Sequence, residues 1–306
     1  MNFKKYMFNS KLLAVCFASL LIATSCGAGD KPKDDENTNE NVVDTDTAKT
    51  AVLNVGGELF SVPSPIQTAM LIQKTGVAYD KAILNVSKNA NTYTNDFMRS
   101  LNLGIYGADL GYVSMYNQTQ DAIGYLAAVK QLADKLGVSA AFDQHTMKRI
   151  ETNIANKDSM LVLVGIAYRA SDAYLKTNKR TEVSSLILAG GWIESMHFSI
   201  NAYKQKESND VKFRIAEQKQ ALGSIIKLLA SNTTPEAIEL GKQLSDLAKV
   251  YDGIQFKYTF VEPTTDSLKK MTYINSTNEV IVSKEQIDQI TAKIQEIRTK
   301  ITNVQS

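Results

Sequence analysis

Glu194 and His197 stand three residues apart in LAGGWIESMHF (188–198), which also holds the only tryptophan of the chain and one of its two histidines. On a helix that spacing puts a carboxylate and an imidazole on one face. Carboxylate-bridged di-iron bundles use such pairs, but they need two of them and two further carboxylates from other helices. The remaining histidine, His145, sits in the polar run DQHTMKR without a glutamate three residues before it. No metal site is therefore expected, and no cofactor. Asp109 is a second residue of chemical interest, because SLNLGIYGADLGYVS (100–114) offers it no lysine or arginine. With Glu194 it could form the carboxylate pair of a general acid–base site.

Tyrosines cluster near both acids. Tyr106, Tyr112 and Tyr116 surround Asp109 in sequence, and AYRASDAY repeats the style with Tyr168, Arg169, Asp172 and Tyr174. Either their hydroxyls satisfy carboxylates inside a packed core, or they line a pocket with aromatic walls and a few directed polar groups. The candidate pocket comprises Asp109, Tyr112, Glu194 and His197. Along the helix, Gly190, Glu194, His197, Asn201 and Lys204 also describe the partly solvated edge of a mostly buried element.

Other chemistry is thinly provided. The sequence has no G-x-S-x-G, H-E-x-x-H, phosphate loop or dinucleotide fingerprint. Its two cysteines, Cys16 and Cys26, both lie in the first 26 residues. Disulfides, thiolate catalysis and cysteine-ligated metals are thereby excluded from the rest of the chain. The formal charge of +2 becomes −1 without Lys4, Lys5 and Lys11, and since residues 27–50 carry seven acids against three lysines, residues 51–306 keep +3. So small an excess argues against nucleic acid as a partner.

Helices must position these residues. Ser64 and Pro65 open one that Gly76 stops, and further helices are predicted over 93–116, 118–136 (ended by Gly137), 143–157, 159–178, 181–206, 210–230 and 234–251. Short connections make successive helices antiparallel neighbours. IQFKYTFVEP, KKMTYIN and EVIV alternate apolar and polar residues and predict two or three short strands. Ser283 and Gln286 then form a capping box before a last helix with Ile287, Ile290, Ile294, Ile297 and Ile301 on one face. The expected fold is mainly α, an antiparallel multi-helix bundle with a small β-hairpin or meander before the C-terminal helix. Glycine inside a helix costs about 1 kcal/mol relative to alanine, so Gly190 and Gly191 need a reason. Ser100, Gly104, Gly107, Gly111 and Ser114 recur at spacings of four and three, a small-residue seam against which the 181–206 helix is expected to pack closely.

The N-terminus carries an address. Lys4, Lys5 and Lys11 precede the apolar run 12–24 and then Cys26, the pattern of a secretory signal. LIATSC resembles the lipobox of bacterial lipoproteins, which implies a signal peptide over 1–25 and acylation of Cys26, palmitate included. Residues 26–50 read as the lipidated cysteine and a disordered acidic tether, and residues 51–306 as a single helical domain. KPKDDE resembles the export signal of Bacteroidetes-type surface lipoproteins, which points to the outer membrane without deciding the leaflet. VPSPIQTAMLIQKTGVAYDKAILN, LNLGIYGADLGYVSMYNQTQDAIGYLAAVKQLADKLGV and LILAGGWIESMHFSI together resemble a family of uncharacterised helical Bacteroidetes-type outer-membrane lipoproteins. That resemblance implies the fold and the cell-envelope address and carries no catalytic residue with it.

The expected function is a non-catalytic binding or scaffold module, held on the membrane by its N-terminal lipid and facing an envelope protein partner. Neither the partner nor the oligomeric state can be read from sequence. The alternatives are a hydrolase-type or other enzyme built on Asp109 or Glu194, and a carrier of a small hydrophobic ligand in the bundle interior. The enzyme needs the two acids in one solvent-connected cleft, the carrier an apolar cavity, and the scaffold an exposed apolar patch on a helical face.

Overall fold

The computed structural model describes residues 50–55, 58–142 and 144–303, with side chains from Ser64 onward. The expected signal peptide, the lipidated Cys26 and the acidic tether lie outside the described residues. Ten α-helices are present among the described residues: α1 (Pro65–Lys74), α2 (Asp96–Met115), α3 (Thr119–Lys135), α4 (Gln144–Thr152), α5 (Lys157–Thr177), α6 (Thr181–Gln205), α7 (Asn209–Ala216), α8 (Lys219–Leu229), α9 (Pro235–Tyr251) and α10 (Lys284–Thr302). None of the described helices is long and apolar enough to cross a membrane.

The predicted stops and caps are mostly where the sequence put them. Gly76 and Gly137 follow α1 and α3 with φ of +78° and +66°, the left-handed conformation that glycine adopts most cheaply at a helix end. Ser283 and Gln286 exchange both hydrogen bonds of the capping box, Gln286 N donating to Ser283 Oγ at 3.2 Å and Ser283 N to Gln286 Oε1 at 2.8 Å. Ser64 differs. Its hydroxyl is buried and caps nothing, and Pro65, which has no N–H, follows it directly.

Residues 210–230 form two helices rather than one. The break at Glu217 and Gln218 turns Gln218 inward, where its Oε1 accepts from the Trp192 indole N–H at 3.0 Å and its amide donates to Arg214 O at 3.1 Å. The buried indole needs an acceptor, and the break supplies it.

Among the described residues six strands form three separate antiparallel pairs. β1 (Thr50–Val55) pairs with β2 (Glu58–Pro63), a hairpin that the sequence reading missed. The predicted β region is a two-stage arm: β3 (Gln255–Thr259) pairs with β6 (Thr277–Ile281), and beyond them β4 (Thr264–Asp266) pairs with β5 (Met271–Tyr273).

At the centre α2 packs against α6 more extensively than any other two elements pack. Their backbones touch. A Cβ on Gly190 would lie 2.0 Å from the Leu101 carbonyl oxygen, and one on Gly104 would lie 2.0 Å from that of Ile187. Gly104 also meets Gly191, and the Tyr112 ring lies 4.7 Å from that of Phe198. The contacts advance in the same direction along both chains, so these two helices, far apart in sequence, run parallel. The rest of the small-residue seam serves other neighbours: Gly107 makes room for Tyr168 of α5, and Gly111 for Ile66 of α1.

Candidate functional site

Because α2 and α6 run parallel with backbones in contact, Asp109 and Glu194 arrive at the same level and face each other. Both are completely buried. The third member is Arg298 of α10, whose Nε donates to Glu194 Oε2 at 2.6 Å and whose Nη2 donates to Oε1 at 2.7 Å. This bidentate geometry matches guanidinium to carboxylate. The same Nη2 donates to the Ile83 carbonyl at 2.9 Å. Burial opposes the charge on Arg298, but Glu194 more than compensates and raises its already high pKa.

Asp109 has no such cation of its own. The Asn85 backbone N–H approaches it, but neither carboxyl oxygen receives a full hydrogen bond. Desolvation, reinforced by the negative charge of Glu194, pushes its pKa well above the usual carboxylate range, with Arg298 opposing. The neutral acid resolves the geometry: a protonated Asp109 can donate to Glu194, whereas two ionised carboxylates would repel in a dry interior.

His197 lies at the edge of this group. Its Nε2 is 3.0 Å from the Ile83 oxygen, so that nitrogen carries the proton and donates, while Asn201 Nδ2 donates to the His197 carbonyl at 2.7 Å. Burial lowers its pKa, favouring the neutral ring. The Ile83 carbonyl thus receives donors from both α6 and α10. Next to it, Asn85 donates to Tyr93 Oη and to Asn102 Oδ1, each at 3.0 Å, and Asn102 donates to the Met98 and Ile301 carbonyls, each at 2.9 Å.

Tyr112 stands apart. Its hydroxyl accepts from the Asp80 N–H at 3.2 Å, and its ring packs with Tyr79, Tyr116 and Phe198. The neighbouring tyrosines mostly donate to backbone carbonyls rather than to carboxylates: Tyr106 to Val86, Tyr116 to Val77 and Tyr168 to Gly104. Tyr79, which donates to Asp121 Oδ2 at 2.8 Å, is the exception in this region. Asp121 also accepts from Lys81 at 2.5 Å, and that bond holds its pKa below the ordinary value.

The structure therefore brings together Asp109 and Glu194, sets His197 on their rim and leaves Tyr112 in a separate aromatic cluster. Comparison with protein-family models, with curated proteins and with solved structures finds no match to this chain. Its chemistry has to be read from the geometry.

That geometry is a sealed ionic knot. Glu194 has both oxygens engaged by Arg298, and neither acid reaches solvent. The solvent-connected cleft required of a carboxylate-based enzyme is not at this pair. Among the described residues, no group of three or more histidine, cysteine, aspartate or glutamate side chains is placed to hold a metal ion. What the knot does is join the loop at Ile83 to α2, α6 and α10. Arg298 was missed in the sequence, although Ile287, Thr291, Ile294, Arg298 and Ile301 follow one another at spacings of four and three. An arginine on a buried stripe demands a buried acid, and that was the available signal.

Proposed function

We propose that the protein is a membrane-anchored, non-catalytic binding or scaffold module of the outer membrane, tethered through lipid on Cys26, with the β3–β6 arm as its docking element. The observation that carries this reading is the distribution of bare apolar side chains. Among the described residues, nine of the twelve large exposed hydrophobics fall between residues 256 and 281. Leu268, at the tip, is 98% exposed, Ile274 82% and Phe260 67%. The patch lies on the β arm rather than on a helical face, where the sequence reading had looked for it.

The arm has little of its own to bury. The Phe256 ring meets Phe213 of α7 edge-on at 5.8 Å, while Tyr258 and Phe260, on the same face of the strand, project outward. Clustered apolar surface of this kind is retained on soluble domains chiefly where a partner covers it. Aromatic anchors on an arm with unpaired strand edges suit a protein partner, which can add both side-chain and main-chain contacts. The family resemblance noted in the sequence is consistent with the same cell-envelope address.

Native mass spectrometry of the full-length protein, isolated from the host's own outer membrane, tests both parts. The expected result is acylated Cys26 and a second protein at fixed stoichiometry, which Phe260→Ser, Leu268→Ser and Ile274→Ser together release without lowering thermal stability. An unmodified Cys26 refutes the anchor. A bare monomer, or a partner that the triple variant retains, refutes the docking role of the arm.

A further inference from the structure

The bundle holds one feature that neither the knot nor the arm uses. Between α2, α3, α4, α5 and α6 lies a cavity of about 50 Å³ whose wall is almost wholly apolar, with Leu103, Leu110, Leu126, Ile150 and Val164 among its lining. Tyr168 lines it too, but its hydroxyl is engaged by the Gly104 carbonyl at 3.1 Å. Ser171 contributes a buried hydroxyl without a partner. Outside it is a cleft of about 540 Å³, and the two share Val129, Phe142 and Met147 as a common wall. Phe142 and Met147 are only half-buried, and methionine is the most adaptable of apolar side chains.

The outer cleft mixes polar and apolar side chains, with Lys130 and Asp134 as its charged groups. Lys130 is paired with Glu151, and Asp134 accepts a hydrogen bond from Ser139. An anionic ligand group would have to break the Lys130–Glu151 pair and would lie beside the Asp134 carboxylate. A hydroxylated, uncharged group would find donors and acceptors without doing so.

We propose that this is a binding site for a single-chain amphiphile with an uncharged, hydroxyl-bearing head: the end of the alkyl chain fills the apolar cavity, the chain passes Phe142 and Met147, and the head rests in the outer cleft. A cavity of roughly 150 Å³ is known to take benzene, so a space about a third as large takes two or three carbons and excludes a ring. The site does not depend on the docking role of the arm.

The test is calorimetric titration of the full chain with 1-monoacylglycerols from four to ten carbons. Each methylene that enters apolar space should tighten binding about fourfold, from about 0.8 kcal/mol per buried methylene, until the space is filled. Glycerol alone should not bind, and sodium decanoate should bind more weakly than 1-monodecanoylglycerol. Ala167→Leu, which fills the cavity from α5, should abolish binding. Ser171→Ala, which removes an unpartnered hydroxyl from the wall, should leave binding equal or tighter. If Ala167→Leu fails to fold, Val164→Leu replaces it, with folding judged by circular dichroism. No binding, binding independent of chain length, or a filled variant that still binds would overturn the site. Decanoate binding as tightly as the glyceride would overturn the assignment of the head group.

Discussion

Replacing Arg298 by methionine keeps most of the side-chain volume and removes the only cation of the Asp109–Glu194 group. Three hydrogen bonds go with it, two to Glu194 and one to the Ile83 carbonyl. Arg298 is 14% exposed and Glu194 not at all, so water cannot replace what is lost. Removing one member of a buried pair costs about 3–5 kcal/mol, because the other charge is left behind without compensation. At about 2–4 °C per kcal/mol for a domain of this size, the melting midpoint should fall by about 10 °C. Restoring neutrality should undo much of the damage, so Arg298→Met with Glu194→Gln should be more stable than Arg298→Met alone. The assay is urea denaturation of the four chains that make up the double-mutant cycle, followed by circular dichroism. A single variant that costs less than about 1 kcal/mol, or a cycle in which the two changes simply add, would refute the account of the knot as one coupled unit.

The close crossing predicts a contrast between glycines. Gly190→Ala should cost at least about 3 kcal/mol, since the Leu101 backbone it would strike cannot rotate away. Gly241→Ala, where a Cβ meets nothing within 4 Å, should stabilise by up to about 1 kcal/mol in the same urea assay. Asp109 predicts a pH dependence: its pKa is raised on folding, so its stabilising contribution is full below about pH 3.9 and is lost as pH rises through the folded value. Asp109→Asn, which keeps a donor towards Glu194, should flatten that decline, and parallel stability–pH curves for the two proteins would exclude it. His197 acts with the opposite sign. Its pKa is lowered on folding, so stability is lost as pH falls from about 6.5 through the folded value, and His197→Gln should remove this loss. Ser283→Ala should cost about 1 kcal/mol at the start of α10.

Local signals announced themselves well in this sequence, and paired ones did not. Pro65, Gly76, Gly137 and the Ser283–Gln286 box mark helix ends through backbone chemistry confined to a few residues, and all four lie at helix ends in the structure. The glycine seam predicted a close crossing because a helix tolerates such residues only for a packing reason. Which neighbour each glycine serves was not legible, since Gly107 and Gly111 answer to Tyr168 and Ile66 from other helices. The break at Gln218 depends on an indole 26 residues away. Asp109 and Glu194 were legible as members of one candidate pocket, but that the pair is sealed from solvent by a third residue from α10 was not. Arg298 was hidden among the isoleucines of α10, where the apolar stripe drew attention away from the one charged residue on it. The β1–β2 hairpin was legible in the Gly56–Gly57 pair between two alternating runs, and was passed over.

The attachment of α10 has a bearing on how the chain comes to fold. Arg298 meets Glu194 across 104 residues of sequence, and the Ile301 carbonyl meets Asn102 across 199. α2 and α6 precede α10 in the chain, so they can meet before their cation is in place. Until α10 docks, a closed core would hold Glu194 as an ion without its cation, at a cost of about 3–5 kcal/mol, which disfavours closure without that helix. Folding under tension on stalled ribosomes should accordingly register no compact core until Arg298 has left the exit tunnel, and an early force peak with α10 still inside would contradict this. Docking of α10 acts as a check on the closure of the two central helices.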